Sequence, residues 1–290
     1  MLRFFINNEL VNINLVEFSD GAIQYTIDPS LKAEFVEKAH IAVDPSTDVG
    51  KVLEHLNVFV DALMQHDIYV QIKSPTLYLP YLPYARADRR FSPTGSFGLE
   101  QFLTQLLHNF AFAVITVADP HSKVFLGYDV VQNAETKFDI MTVADCFRTV
   151  GVQKTYDAVV CPDKGAVERT QAVADLLGLP VVFCTKTRDP ETGKLSNPQI
   201  ESIPDGLDLR NSKLLIVDDI FDYGNTFLLL SSLLRSEGVS CLDLYVTHLI
   251  APKGLDIILP VIDNVYYYNI VGKYIASKHV TDFNSRVRGY

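Results

Sequence analysis

Residues 214–228 read LLIVDDIFDYGNTFL. The apolar run Leu214–Val217 has the make-up of a buried strand, and it ends on two adjacent carboxylates, Asp218 and Asp219. Asp222, Tyr223, Gly224, Asn225 and Thr226 follow before apolar residues resume at Phe227. Like charges side by side repel and resist burial, so the pair belongs where a strand gives way to a loop. In a strand–loop–helix unit the loop N–H groups and the helix dipole form an anion cradle. The expectation is an anion over 222–226, with Gly224 allowing close backbone approach and Thr226 capping a helix that starts near Phe227. Asp218 and Asp219 would then accept hydrogen bonds from sugar hydroxyls. A plain helix N-cap with solvated acids fits the same residues, and this loop alone does not separate the two.

Outward from this stretch, strands and helices alternate. The sequence predicts helix MTVADCFRTVG from 141, strand YDAVVCPD, helix VERTQAVADLLGL, strand PVVFCTK, and after a polar stretch the strand KLLIVDD. Helix NTFLLLSSLLRSEG and strand CLDLYVTHLI complete the series. Such alternation argues for parallel sheet covered on both faces. Upstream, short runs over the first forty residues read as strands and hairpins. Residues 47–66 carry Val52, Leu53, Leu56, Val58, Phe59 and Leu63 near helical spacing, and 97–112 carry Leu99, Phe102, Leu103, Leu106, Leu107 and Phe110 likewise. IYVQIK at 68–73 reads as a strand, PTLYLPYLPYARADRRF as a strand broken into a loop by prolines, and AFAVITVAD as a strand ending on Asp119. In open parallel sheets, active groups gather beyond the carboxyl ends of strands. Asp119, Asp163, Lys186 and the pair Asp218/Asp219 all fall at such ends.

Composition sets bounds on function. With 290 residues the chain suits two domains, and 48% hydrophobic with 21% charged residues is globular in kind. A net charge of −10 argues against general attraction to nucleic acid or anionic membrane, so phosphate chemistry must come from local cations and N–H groups. Cys146, Cys161, Cys184 and Cys241 show no paired metal spacing and read as reduced, mostly buried thiols of a cytoplasmic protein. No apolar run reaches the roughly 18 residues of a membrane span, and no export signal is expected at the start.

LLIVDDIFDYGNT resembles the ribose-phosphate-binding motif of the phosphoribosyltransferase superfamily. YLPYARADRR at 81–90 resembles a second motif, found in ribose-phosphate diphosphokinases (PRPP synthases). VADPHS at 117–122, VVCPDKGAVERT at 159–170 and TKTR at 185–188 fit the same family in the same order. The resemblance implies two similar α/β domains of phosphoribosyltransferase type, each a mainly parallel sheet flanked by helices. They would span 1–140 and 141–274, with 275–290 packing back on the first. It implies Mg²⁺-dependent transfer of the β,γ-diphosphoryl group of ATP to the anomeric hydroxyl of ribose 5-phosphate, giving PRPP and AMP.

The residue roles it implies are as follows. Arg86, Asp88 and Arg89 lie along ATP, where arginine suits bidentate phosphate recognition. His121, of Asp119-Pro120-His121, contacts the metal–triphosphate, and Asp163 helps bind Mg²⁺ and the ribose. Lys186 and Arg188 are the catalytic cations on a lid formed with the polar stretch that follows. Phe18 and Asp20, in FSDGAIQ at 18–24, hold adenine across a subunit interface, implying a homo-oligomer. Asp218, Asp219, Asp222, Tyr223, Gly224, Asn225 and Thr226 bind the ribose phosphate. The chain departs from the family at Ala22, usually Glu, and at Ala87, usually Gln. It departs again at Tyr223 and Asn225, in a loop that usually reads Thr-Gly-Gly-Thr. Those departures allow an acceptor with an extended 5-phosphate, such as ADP-ribose in NAD-related metabolism, with Tyr223 as a stacking face. A PRPP-consuming phosphoribosyltransferase would need only the LLIVDD loop, and a silent regulatory relative would not need Lys186 and Arg188.

Overall fold

The computed structural model describes residues 1–32, 35–127, 136–186, 197–250, 254–271 and 280–282. The chain divides into two compact units, between Met141 and Thr142.

In the first unit six strands form one sheet. They are β1 (Leu2–Ile6), β2 (Glu9–Val11), β5 (Ala39–Val43), β6 (Thr76–Leu79), β7 (Val114–Ala118) and β8 (Lys137–Met141), in the order β2-β1-β5-β6-β7-β8. The β5–β8 ladder is parallel, whereas β1 and β2 add antiparallel edges. Asn7 and Asn8 join β1 to β2 at φ 51 and 69, the left-handed pair that a two-residue hairpin turn demands and asparagine tolerates. A separate hairpin of β3 (Ile13–Glu17) and β4 (Ile23–Ile27) packs on helix α1 (Val52–Met64). There the Tyr25 ring meets Phe59 edge-on at 5.5 Å, and its hydroxyl lies 2.8 Å from His55 Nδ1. Leu56, Phe59 and Leu63 of α1 and Leu99, Phe102, Leu103 and Leu106 of α2 (Gly98–Asn109) fill the core against Phe4, Ile41, Leu77 and Ile115.

The predicted strand IYVQIK is instead a 3₁₀ helix, Asp67–Gln71, started by His66, whose Nδ1 accepts from the N–H of Ile68 at 3.1 Å. Only Ile68 of this segment is buried and Val70 is exposed, so the apolar alternation has no core to face.

The second unit holds seven strands. They are β9 (Ala158–Cys161), β10 (Val181–Thr185), β11 (Gln199–Ser202), β12 (Lys213–Phe221), β13 (Cys241–Leu249), β14 (Asn264–Ile270) and β15 (Val280–Asp282), in the order β11-β10-β9-β12-β13-β14-β15. All neighbours are parallel except the β10–β11 edge. Helices α5 (Asn225–Ser236) and α6 (Leu255–Ile258) cover one face through Phe227, Leu230, Leu234, Leu255 and Ile258, over Val160, Leu214, Ile216 and Leu244. Helices α3 (Val143–Val150) and α4 (Val167–Leu177) cover the other, where Phe147 meets Tyr245 edge-on at 4.9 Å. Burial on both faces is why β9 and β12 read as unbroken apolar runs. Near the amino end of β13, fully buried Asp243 is held by Lys154 Nζ (2.8 Å), the Tyr156 hydroxyl (2.7 Å) and Asn264 Nδ2 (2.9 Å).

Of the segment 275–290 expected on the first unit, the described part, Val280–Asp282, extends the second unit's sheet beside β14; the remainder lies outside the described residues. Three of the four cysteines are buried and all are free thiols; burial pushes the Cys184 thiol up to about 12. Among the described residues no helix is long and apolar enough to cross a membrane.

Candidate active site

Three adjacent parallel strands of the second unit, β10, β9 and β12, deliver charged residues at their carboxyl ends. The register pairs Phe183 with Cys161 and Ile216 with Val160, which brings Lys186, Asp163 and Asp218/Asp219 to one edge of the sheet. Lys186 Nζ lies 2.5 Å from Asp163 Oδ2, with both side chains about three-quarters buried. The other carboxylate oxygen, Oδ1, accepts from the N–H of Gly165 at 2.8 Å and so starts the turn into α4. Asp163 is therefore fixed from behind and met by a cation in front.

Asp218 is half-buried and Asp219 buried. Asp218 Oδ1 accepts from the backbone N–H of Asp219 at 2.9 Å. Desolvation first, then the charges of Asp219 and Asp163, push the Asp218 carboxyl well above the usual carboxylate range. Asp219 has a cation nearby: Arg169 Nη2, from the first turn of α4, lies 3.7 Å from its Oδ2, with both side chains largely buried.

After β12 the chain turns through Asp222, Tyr223 and Gly224 into α5. Gly224 has φ 82, and a Cβ there would stand 2.9 Å from Phe221 Cζ, 3.0 Å from Ile258 Cγ2 and 3.1 Å from the Gly254 carbonyl oxygen. Glycine is required here by the chain's own packing, which fixes the shape of the turn. The helix begins at Asn225 with Gly224 as N-cap and no side-chain cap, so Thr226 lies inside the first turn and does not cap the helix as expected. The first-turn N–H groups, left without intrahelical partners, form the amide end of the cradle. Tyr223 is 64% exposed, its ring free to meet a ligand. Behind the loop, a Cβ on Gly254 would collide with the backbone of Asp222 and Tyr223 at 2.6–2.8 Å, so α6 supports the turn through a residue without a side chain.

The remaining predicted residues belong to the first unit. Arg86 is exposed and Asp88 half-buried; Arg89 lies over the Phe91 ring at 5.4 Å. Arg90 is tied to the Gly95 carbonyl at 2.8 Å and to Glu100 at 3.3 Å, which anchors the end of the motif to α2. Two residues around these motifs hold left-handed backbone, Tyr84 at φ 61 and buried Asp119 at φ 31. Such conformations are uncommon for non-glycine residues and recur where a loop must present its neighbours in one direction. Here the neighbours are Arg86 and exposed His121. Phe18 stands half exposed at the tip of the β3–β4 hairpin, and Asp20 Oδ1 accepts from the N–H of Ala22 at 3.0 Å, shaping that tip. Arg188 lies outside the described residues.

Sequence reasoning missed Arg169 and Gly254. A cation in the first turn of a helix opposes the macrodipole, and that unfavourable placement was the signal available for Arg169. Gly254 carried none, because its contact is made from a distant part of the chain.

Comparison with known proteins bears on the fold that carries these residues. Residues 133–257 match the phosphoribosyl transferase domain family. A ribose-phosphate pyrophosphokinase of Thermoplasma acidophilum is 29% identical over 300 residues, covering 94% of this chain and 93% of its own. Another of that name, from Saccharolobus solfataricus, is 24% identical over 245 residues, covering 84% of this chain and 79% of its own. The crystal structure of phosphoribosylpyrophosphate synthetase from Mycobacterium smegmatis shares the fold, with a TM-score of 0.72 over 94% of this chain and 86% of that one, at 20% identity. Motifs, fold and relatives converge: residues 133–257 match the phosphoribosyl transferase domain, and the chain is similar along nearly its whole length to ribose-phosphate pyrophosphokinases, on a phosphoribosyltransferase-type fold.

Proposed function

We propose that the protein is a diphosphotransferase that makes PRPP and AMP from ATP and ribose 5-phosphate. The observation that carries this reading is the meeting of Lys186, Asp163 and Asp218/Asp219 at one sheet edge beside an amide cradle. The anomeric oxygen of the sugar attacks the β-phosphorus of ATP. The bond from that phosphorus to the α,β-bridging oxygen breaks, AMP leaves, and the hydroxyl proton passes to solvent. Charge at the transferred group spreads over its oxygens, so catalysis is positioning and electrostatic stabilisation.

Each residue has a matching task. The first-turn amides of α5 hold the 5-phosphate, and Asp218 and Asp219 accept from the ribose hydroxyls. Lys186, with Arg188, brings cationic charge to the migrating diphosphoryl group. Arg86, Arg89 and His121 bind the triphosphate, Asp88 orients the arginines, and Phe18 with Asp20 holds adenine in a neighbouring copy of the chain. Mg²⁺ fits Asp163, an oxygen donor whose outer oxygen already faces the ammonium of Lys186 as a stand-in cation. When bound it would neutralise phosphate charge. His121 is a poor match for so hard an ion and suits the phosphates better.

One observation favours a second acceptor. Tyr223, where the resembled motif has a small residue, presents an exposed ring beside the cradle, as an acceptor of the ADP-ribose type would use. The test is AMP release from Mg-ATP with ribose 5-phosphate and with ADP-ribose in parallel. Turnover with the free sugar phosphate alone removes the second reading. PRPP-dependent consumption of a base, with no AMP release, would point to a phosphoribosyltransferase. No turnover with either acceptor or with PRPP would point to a silent relative.

A further inference from the structure

Arg169 occupies a place that ordinary preferences disfavour. It sits in the first turn of α4, where the helix dipole opposes a cation, and its side chain is only 15% exposed. A solubilising role is met by an exposed side chain, and this one is turned inward. Its guanidinium reaches across to β12, where Asp219 Oδ2 lies 3.7 Å from Nη2, and Nη1 lies 3.4 Å from the Gly165 carbonyl oxygen. That second contact ties the guanidinium to the turn that also positions Asp163.

The charges around it explain what it does. Asp163, Asp218 and Asp219 bring three carboxylates to one sheet edge, and Lys186 is engaged with Asp163. Arg169 pairs with Asp219. A carboxylate pressed against a neighbouring carboxylate turns away or takes up a proton unless a cation fixes it. We infer that Arg169 is a positioning residue: through its ion pair with Asp219 it sets the direction in which the adjacent aspartates offer their oxygens to the diol of a ribose phosphate. The inference rests on the reading of that site as a ribose-phosphate grip.

The test is a double-mutant cycle on the full chain, with Arg169→Met, Asp219→Asn and the combination. AMP release is followed with ribose 5-phosphate varied at saturating Mg-ATP and the reverse, and ribose 5-phosphate binding is measured by calorimetry. Arg169→Met is expected to raise the KM for ribose 5-phosphate about tenfold while the KM for ATP moves less than about twofold. The double variant should be no worse than Asp219→Asn, because Arg169 acts through that residue. Additive losses, equal rises in both KM values, or an unchanged KM for ribose 5-phosphate would overturn the inference. If Arg169→Met loses its helical circular dichroism, Arg169→Lys carries the test. The shorter side chain displaces the cation and must raise the sugar-phosphate KM alone, and wild-type values for it overturn the inference. A wild-type protein that neither binds nor turns over ribose 5-phosphate sinks the parent reading and this inference together. A wild-type protein that does both, with Arg169→Met matching it, sinks only the inference.

Discussion

Replacing Gly224 by alanine tests whether the cradle is held by the chain's own packing. The residue sits at φ 82, and left-handed backbone costs an L-residue about 1–2 kcal/mol. The new Cβ would meet Phe221 Cζ at 2.9 Å, Ile258 Cγ2 at 3.0 Å and the Gly254 carbonyl oxygen at 3.1 Å. None of these can yield easily. Phe221 is fully buried and stacked on Phe227 at 5.7 Å and 10°, Ile258 is buried, and the third atom is backbone. Overpacking of this kind costs about 1–3 kcal/mol. Restricting the unfolded chain returns about 0.4–1 kcal/mol. The net loss is about 1–5 kcal/mol. Urea denaturation followed by far-ultraviolet circular dichroism reads it from the midpoint, at an unchanged slope. In the same variant ribose 5-phosphate binding should fall while ATP binding persists, since the residues proposed for the nucleotide lie in the other unit. A denaturation midpoint equal to wild type would refute the packing account of this glycine.

Lys186→Ala should bind nucleotide with near wild-type affinity and lose about 100-fold or more in kcat, measured by calorimetry and AMP release; a variant with wild-type kcat would exclude Lys186 from the chemistry. Asp218→Asn should stabilise the protein at neutral pH. A carboxyl whose folded pKa is raised makes the fold less stable as pH climbs from the ordinary carboxylate value, about 4, through the raised one. The melting-temperature gap between variant and wild type should therefore close as pH falls toward that lower value, and a gap independent of pH would contradict the burial of an unfavourable charge. Asp243→Ala strands the buried Tyr156 hydroxyl and unpairs the half-exposed Lys154 ammonium and should cost about 1–3 kcal/mol in urea denaturation; an unchanged midpoint would mean the network is solvated.

The parts of the fold that were legible were those where burial writes itself into composition. Val159-Val160-Cys161 and Leu214–Val217 are covered on both faces, so they read as continuous apolar runs, and the helices between them carried a clean stripe. The edges were not legible. Lys137–Met141 and Gln199–Ser202 lie at sheet margins with mostly exposed or half-exposed side chains, so nothing in their composition marks a strand. IYVQIK erred the other way, since β-branched and aromatic residues suggest a strand even where only Ile68 meets the core. The strand-end residues of the site stood out because a charge that ends an apolar run calls for an explanation. Gly224 stands out too, as a residue that allows close backbone approach; the structure adds that Phe221, Ile258 and the Gly254 carbonyl take the space a Cβ would fill. Thr226 suits a cap by its hydroxyl, whereas the turn into α5 is set by Gly224, two residues earlier.

The ion pairs of the second unit bear on how a site so rich in carboxylates can take an anionic ligand. Asp163 with Lys186 and Asp219 with Arg169 form internal pairs, so the sheet edge meets a phosphate with its cations engaged. These two pairs are not equivalent. Arg169 projects from the first turn of a regular helix and is held at the Gly165 carbonyl, so on the proposed reading its pairing would persist on ligand entry and keep Asp219 in place. Lys186 sits at the end of β10, one residue beyond the strand, on a long side chain with many rotamers. A diphosphoryl group can draw it from Asp163, and the oxygen it leaves then suits a divalent cation. On the proposed function, one pair would fix the grip and the other would be the part of the site that rearranges for transfer.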